Sequence, residues 1–411
     1  MTSARRVALG LLREWEKGNS FAADLIERGV RRGKLEPKDR GFVQQLLYSV
    51  LRNRTLLDYF AATFADGKLD PRTARVLQFG LAEAFLLGSA PHALVNETVS
   101  LAPAWSRRIV NAILRRATDE TVKQASLAEI ETLPPEVRWS TPLWLWKRWV
   151  GQFGEADAEA LCRWNNLPAP VYIRLNPLNP PPGESENLDP SQFDGYQKVV
   201  GDLPKDWLAS GQAYAQDPST AHAIQLLDAQ PGQTVLDACA APGGKTFAIA
   251  CAMKNEGRII AADRDSERVE RMRGNLDRLG VSIADPQVID WLEPLPDSLA
   301  GTKFDRILVD APCSNTGVMR RRIDVRWRIK PAEFDRLRKT QLQLLSALTP
   351  LLAPGGRLVY STCSIDEEEN SQLVGEFAEG LSEEFKLVDS AAIFPWKDGC
   401  DGAFAAAIDR G

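Results

Sequence analysis

The chain is short of histidine: His92 and His222 are its two, in 411 residues. That shortage excludes a histidine-rich metal site and leaves no imidazole for a Ser-His-Asp triad near the C-terminal motifs. Cysteine is sparse and scattered, at Cys162, Cys239, Cys251, Cys313, Cys363 and Cys400, with no C-x-x-C pair. The first residues, MTSARRVALGLLREWEKG, hold one short apolar run and acids at Glu14 and Glu16, unlike a signal or transit peptide. The thiols therefore read as reduced and cytosolic rather than as a disulfide framework. No apolar stretch approaches the roughly 20 residues of a membrane helix. A cytoplasmic protein without metal or membrane partner is expected.

What is present is ordinary in bulk, 44% hydrophobic and 26% charged, but uneven in charge. Residues 1–140 carry 21 Lys and Arg against 16 Asp and Glu, a net +5, and the remainder carries −10. A basic front on an acidic body points to an anionic partner for the front, although solvated helix faces give the same balance. At roughly 150 residues per domain the length implies two or three domains. Residues 1–138 show apolar positions at helical spacing and predict a domain of about six helices, with paired arginines at 107–108 and 115–116. Proline and polar signals (ETLPPEV, STP) close it. Residues 139–215 predict a small α+β connector. Its tryptophans 144, 146, 149 and 164 suit packing better than base stacking. Residues 216–411 alternate strands and helices, the pattern of a parallel doubly wound sheet.

In that last domain LDACAAPGGKT (236–246) follows a strand and opens a helix, the context in which a glycine-rich loop binds a ligand. Gly243 and Gly244 allow close approach of backbone, and the helix start offers free N–H groups. The loop is neither a Walker A sequence nor a full G-x-G-x-x-G. Asp263 ends the next strand, where an acid can take both ribose hydroxyls, and Asp290 follows a third strand, within reach of an adenine amino group. Helix capping explains each acid singly but not the series. A nucleoside carrying a carboxylate fits, and S-adenosylmethionine is the expected cofactor, with NAD as the competitor.

Cys313 in DAPCSNTG and Cys363 in VYSTCSIDEEEN each sit just past a strand end, where such sheets bind ligands. A buried free cysteine is commonly a small hydrophobe. Two at corresponding strand ends in a cofactor crevice point instead to catalysis, and two thiols without a nearby histidine are too few for a metal. The four carboxylates Asp366–Glu369 are expected to open the following helix, where they suit its dipole.

DACAAPGGKT, DAPCSNTG and VYSTCSIDEEEN, in this order, resemble the signature motifs of RNA (cytosine-5)-methyltransferases, and the helical front is similar to a NusB-like RNA-binding domain. Together they resemble the bacterial RsmB (Sun/Fmu) group, which modifies small-subunit (16S) ribosomal RNA. The resemblance implies an α-helical NusB-like domain, the connector and a Rossmann-type methyltransferase domain. It also implies a cofactor loop at Cys239, Ala240, Ala241, Pro242, Gly243, Gly244 and Lys245, with Asp263, Asp290 and Asp310 beside it. Cys363 becomes the nucleophile that adds to carbon 6 of cytosine, and Cys313 assists release of the base. Asp310 would hydrogen-bond the base. Nine basic residues against three acidic in 318–339 put Arg320, Arg321, Arg322, Arg326 and Arg328 forward as phosphate contacts. Ile323 stands where the family often has proline, and Ala403 and the alanines after Phe404 replace commoner aromatics. Transfer RNA as the substrate, or a non-catalytic ribosome-assembly factor, are the alternatives. A monomer is expected.

Overall fold

The computed structural model describes residues 4–18, 20–33 and 35–411, the side chains of residues 31–33, 37 and 38 apart. By their internal contacts they form two units. One runs to Leu167 and takes in Met319–Arg328; the other comprises Pro168–Val318 and Ile329–Gly411.

The first unit is helical: α1 (Ala4–Trp15), α2 (Ala22–Gly33), α3 (Pro37–Arg52), α4 (Arg54–Phe64), α5 (Pro71–Ala82), α6 (Pro91–Leu101), α7 (Arg107–Ala117), α8 (Glu120–Ile130), α9 (Leu143–Phe153) and α10 (Glu155–Asn166). Asn53, at φ −119° and ψ 25°, separates α3 from α4, and the extended Ala102 before Pro103 ends α6. Local caps explain the starts: Asp70 accepts from the Arg72 and Thr73 amides, with Pro71 in the first turn of α5. The apolar stripe of α7 (Val110, Ile113, Leu114, Ala117) joins Leu46, Leu47, Val50, Phe60, Val76 and Phe79 in one core. Gly80 admits Leu114, whose Cδ2 would lie 2.6 Å from a Cβ there. Glu83, fully buried, takes two hydrogen bonds from Arg5 at 2.7 and 2.6 Å.

The second unit holds two sheets. The smaller is antiparallel, ordered β2 (Leu188–Pro190), β3 (Tyr196–Val199), β1 (Tyr172–Leu175), β4 (Ala213–Ala215). The larger contains β5 (Thr234–Asp237), β6 (Arg258–Asp263), β7 (Ala284–Val288), β8 (Phe304–Asp310), β9 (Leu352–Thr362), β10 (Phe385–Ile393) and β11 (Ala403–Arg410). Its order is β10-β11-β9-β8-β5-β6-β7, parallel from β9 to β7, with β10 and β11 antiparallel at one edge. Helices α11 (Thr220–Leu227), α12 (Gly244–Ala252), α13 (Ser266–Arg278), α14 (Pro331–Leu348) and α15 (Ser371–Glu379) accompany it. Apolar clusters made from alternate residues of its strands, Val235, Ile259 and Leu308 in one and Leu236, Ile260 and Ile307 in the other, bury the sheet on both faces.

The segment 139–215 is divided rather than forming a connector of its own. Its helical half lies in the first unit, where Trp146 and Trp149 are buried. Its strand half is tied into the second: Asn176 Nδ2 donates to the carbonyls of Gly211 and Leu279, at 2.6 and 2.9 Å. Gly211 is obligatory there, since a Cβ would stand 1.9 Å from the Arg278 carbonyl oxygen. Among the described residues no helix is long and apolar enough to cross a membrane.

Candidate active site

Register builds the site. β8 and β9 run parallel with Asp310 opposite Ser361, so the loops that leave them place the two thiols together. Cys313 Sγ lies 3.3 Å from Cys363 Sγ. Asn315, at φ +60°, ties the loops: its Nδ2 donates to the Cys313 carbonyl at 2.7 Å, and Cys363 Sγ lies 3.3 Å from its Oδ1. Gly317 donates its amide to the Cys363 carbonyl at 3.0 Å, and a Cβ there would fall 2.7 Å from that same oxygen. The glycine of CSNTG is thus required by the close pass of one loop under the other.

Beneath the thiols two acids of the run turn inward, and the run lies just before the following helix rather than opening it. Asp366 and Glu369 are both 0% exposed. Thr316 Oγ1 donates to Asp366 Oδ2 at 2.5 Å, and Glu369 Oε1 accepts from the Ser314 amide and Gln341 Nε2, each at 2.9 Å. A 3-10 turn covers Glu367–Glu369, and α15 begins only at Ser371. These carboxylates hold the loop after β8 to the loop after β9, because the hydroxyls and amides there have no water to turn to. Burial raises the Glu369 carboxyl above the usual range against the hydrogen bonds it accepts.

Lys245, from the first turn of α12, reaches Asp310 at the end of β8, with Nζ 2.7 Å from Oδ2, while Ser361 Oγ lies 3.3 Å from Oδ1. Burial works against the ammonium, but the charge and hydrogen bond of Asp310, helped by Cys363, carry its pKa above the ordinary value. Lys245, Ser361, Thr362, Cys363, His222 and Phe404 line one cleft. The hydrogen bond to Cys363, followed by burial, holds the Cys313 thiol well above the ordinary range.

The glycine-rich loop follows β5. Gly243 (φ +99°) caps α12, and Asn275 Nδ2 and Arg268 Nη2 of α13 donate to the carbonyls of Pro242 and Ala241, at 3.0 and 2.5 Å. The space left by Gly244 is taken by Tyr214, whose Cε1 would be 2.8 Å from a Cβ, so this glycine serves packing within the protein. Cys239 is held neutral by burial and by the Asp310, Asp237 and Asp263 carboxylates. Asp263 is buried at the end of β6 and faces Arg268 Nη1 at 3.2 Å. Asp290, just past β7, accepts from the Leu292 amide at 3.0 Å, and the exposed apolar side chains Val288 and Leu292 flank it. Sequence reasoning passed over Asp237. It ends β5 fully buried, with Thr246 Oγ1 2.7 Å from Oδ2 and, among the described residues, no partner for Oδ1. Burial pushes its carboxyl up to about 7.

The basic segment is divided: residues 319–328 belong to the helical unit and those from Ile329 on to this one. Arg320, Arg326 and Arg328, expected as phosphate contacts, have their partners within the helical one. Arg326, 2% exposed, donates to the Trp139 and Asn165 carbonyls and to Asn166 Oδ1, at 3.2, 2.9 and 2.6 Å. Arg320 lies 4.0 Å over the Trp164 ring, and Arg328 donates to the Ser20 carbonyl. Ile323 is buried in the helical core. Arg321 is half-buried and Arg322 exposed. Main-chain carbonyls, an asparagine oxygen and a tryptophan ring receive these three guanidinium groups, a distinction composition does not carry.

Comparison with known proteins agrees with this layout. The family model described as 16S rRNA methyltransferase RsmB/F matches residues 224–408, and the NusB family model matches residues 2–119. The protein named probable ribosomal RNA small subunit methyltransferase B from Bacillus subtilis is 32% identical over 396 residues, covering 92% of this chain and 88% of that one. Ribosomal RNA small subunit methyltransferase B of Cronobacter sakazakii is 32% identical over 395 residues, covering 87% and 89%. The crystal structure titled PH0851 superposes with a TM-score of 0.77 at 25% identity, covering 99% of this chain and 98% of that one. A NusB helical domain, a Rossmann-type sheet with its glycine-rich loop, and near-full-length similarity to these methyltransferases lead to one conclusion: the chain belongs to the 16S rRNA methyltransferase RsmB/F family.

Proposed function

We propose that the protein transfers a methyl group from S-adenosylmethionine to carbon 5 of a cytosine in small-subunit ribosomal RNA, through a covalent bond between Cys363 and the base. The observation that carries this reading is the 3.3 Å pair of thiols in a unit that also holds the Lys245–Asp310 ion pair. The substrate class comes from the relatives' names. The residues suit the cofactor chemically: carboxylates end or follow three successive parallel strands at Asp237, Asp263 and Asp290, and open apolar surface at Val288 and Leu292 fits a flat ring. Gly243, Lys245 and Asp263 would hold it. When bound it supplies an electrophilic methyl group.

The chain's own residues then have separate tasks. Carbon 5 of cytosine is a poor nucleophile. The Cys363 thiolate adds to carbon 6, and the pair from the 5,6 double bond makes carbon 5 electron-rich. Lys245, the cation lining the cleft with Cys363, holds Asp310 toward the base, where the carboxylate accepts from the base's amino or ring N–H. After methylation the proton on carbon 5 passes to a water molecule of the cleft, its electron pair restores the 5,6 double bond, and the carbon–sulfur bond breaks with its pair returning to the Cys363 sulfur as thiolate. Cys313, which retains its proton, hydrogen-bonds the departing Cys363 sulfur and favours that break. The base must be unstacked to reach the thiols.

Incubation of the protein with small-subunit ribosomal RNA and methyl-labelled S-adenosylmethionine, followed by bisulfite mapping, tests the reaction. Label at carbon 5 of cytosine is expected, and no methyl transfer to any RNA would sink the proposal. Cys363→Ala abolishes both turnover and covalent adduct, by 1000-fold or more on the order of nucleophile removal. Cys313→Ala accumulates a protein–RNA adduct stable to denaturing gels. Trapping by Cys363→Ala instead would reverse the two roles.

A further inference from the structure

The arginines of α7 stand apart from others in their unit. Arg5 pairs with Glu83, Arg54 and Arg75 with Glu16, and Arg138 with Glu131. Arg107, Arg108, Arg115 and Arg116 are all exposed, and none of them has an acidic partner among the described residues. Arg107 Nε donates weakly to the Ala102 carbonyl at 3.4 Å, Arg115 Nε to Asn111 Oδ1 at 3.3 Å, and Arg116 lies 5.5 Å from the Phe64 ring centre. Arg107 and Arg108 occupy the first turn, where the helix dipole disfavours positive charge, and no acid in that turn offsets them. Asp119, the nearest acid along the chain, caps α8 through the Val122 amide. Directly before α7, on the turn Ala104–Ser106, Trp105 is 67% exposed, the most open of the large apolar side chains.

We propose that Trp105 with the Arg108–Ala112–Arg115 face of α7 is a docking site for RNA. Arg108 and Arg115 lie two turns apart on one face, about 10 Å along the axis, and each guanidinium can take a phosphate in two hydrogen bonds. Trp105 offers a flat ring on which an unstacked base can lie. The combination selects RNA over other anions. An acidic polypeptide would use the arginines and leave the indole idle. A membrane would need the apolar side of α7, and Val110, Ile113, Leu114 and Ala117 are buried in the core. The inference rests on the RNA substrate proposed above but concerns binding, not chemistry.

Filter binding of the full chain to transcribed small-subunit ribosomal RNA over a salt series tests it. Arg108→Glu/Arg115→Glu weakens binding about 10- to 100-fold and flattens the logarithmic salt dependence by about one to two units. Trp105→Ala weakens it about 10-fold. In both, turnover at saturating RNA and the KM for S-adenosylmethionine stay as in the wild type, and Arg108→Lys/Arg115→Lys restores most of the affinity. Unchanged urea midpoints separate these effects from unfolding. Affinities within twofold of wild type would overturn the proposal. So would a loss confined to the arginine variant with equal displacement by polyglutamate, which would make the face a site for an acidic polypeptide. Normal methylation with unaffected binding removes the docking face and leaves the activity. Weakened binding in a wild-type background that transfers no methyl group keeps the face and removes the activity.

Discussion

Two arginine-rich stretches of this chain have similar composition and opposite fates. In 320–328 the guanidinium groups of Arg320, Arg326 and Arg328 face a tryptophan ring or main-chain carbonyls within the helical unit. In 107–116 all four stand exposed on α7 without an acidic partner among the described residues. Clustered positive charge is therefore not evidence of an anion site until its hydrogen bonds are accounted for. A buried arginine surrounded by carbonyls is a packing element. Burial pulls the Arg326 pKa down to about 10, the signature of a cation held inside without a carboxylate beside it.

The contrast can be broken by substitution. Arg326→Ala removes a fully enclosed side chain and strands several carbonyls, so the helical unit loses about 3–5 kcal/mol in urea unfolding; a loss below about 1 kcal/mol would deny the packing role. Charge burial in the catalytic unit shows as pH dependence. With its carboxyl raised to about 7, Asp237 stabilises the fold in its neutral form, fully below about pH 4, and that stability is lost as pH rises through about 7. The range is at most about 4 kcal/mol, and Asp237→Asn flattens a pH series of melting temperatures across that window. Asp324 accepts from the Trp15 indole and from the Ala22 amide at 3.0 Å. Asp324→Ala costs about 2 kcal/mol and is read by the same unfolding. On α7, Arg115→Ala changes stability by less than about 0.5 kcal/mol, since its one hydrogen bond is to a neighbouring side chain.

The catalytic unit was the more legible of the two. Apolar runs ending at Asp237, Asp263 and Asp310 read directly as parallel strands, because strands covered on both faces carry continuous hydrophobic residues. The cysteines were legible as strand-end residues for the same reason. Their mutual distance was not, since it follows from the pairing of Asp310 with Ser361 and from Gly317 passing under the Cys363 carbonyl. The acidic run misled: four consecutive carboxylates look solvated, yet hydroxyls and amides donated from Ser314, Thr316 and Gln341 make an interior for two of them. Helix number in the front was undercounted because Asn53 breaks a continuous periodicity without a proline or glycine.

Sequence alone determined the helical front, the doubly wound sheet, the glycine-rich loop and the identity of the two thiols, since these rest on local periodicity and on residues adjacent in the chain. Tertiary structure decided the rest. It set how close the two thiols lie, which acids are buried and which arginines remain exposed. Protonation, burial and hydrogen-bond satisfaction depend on groups far apart in sequence, and only the folded chain brings those groups within reach of one another.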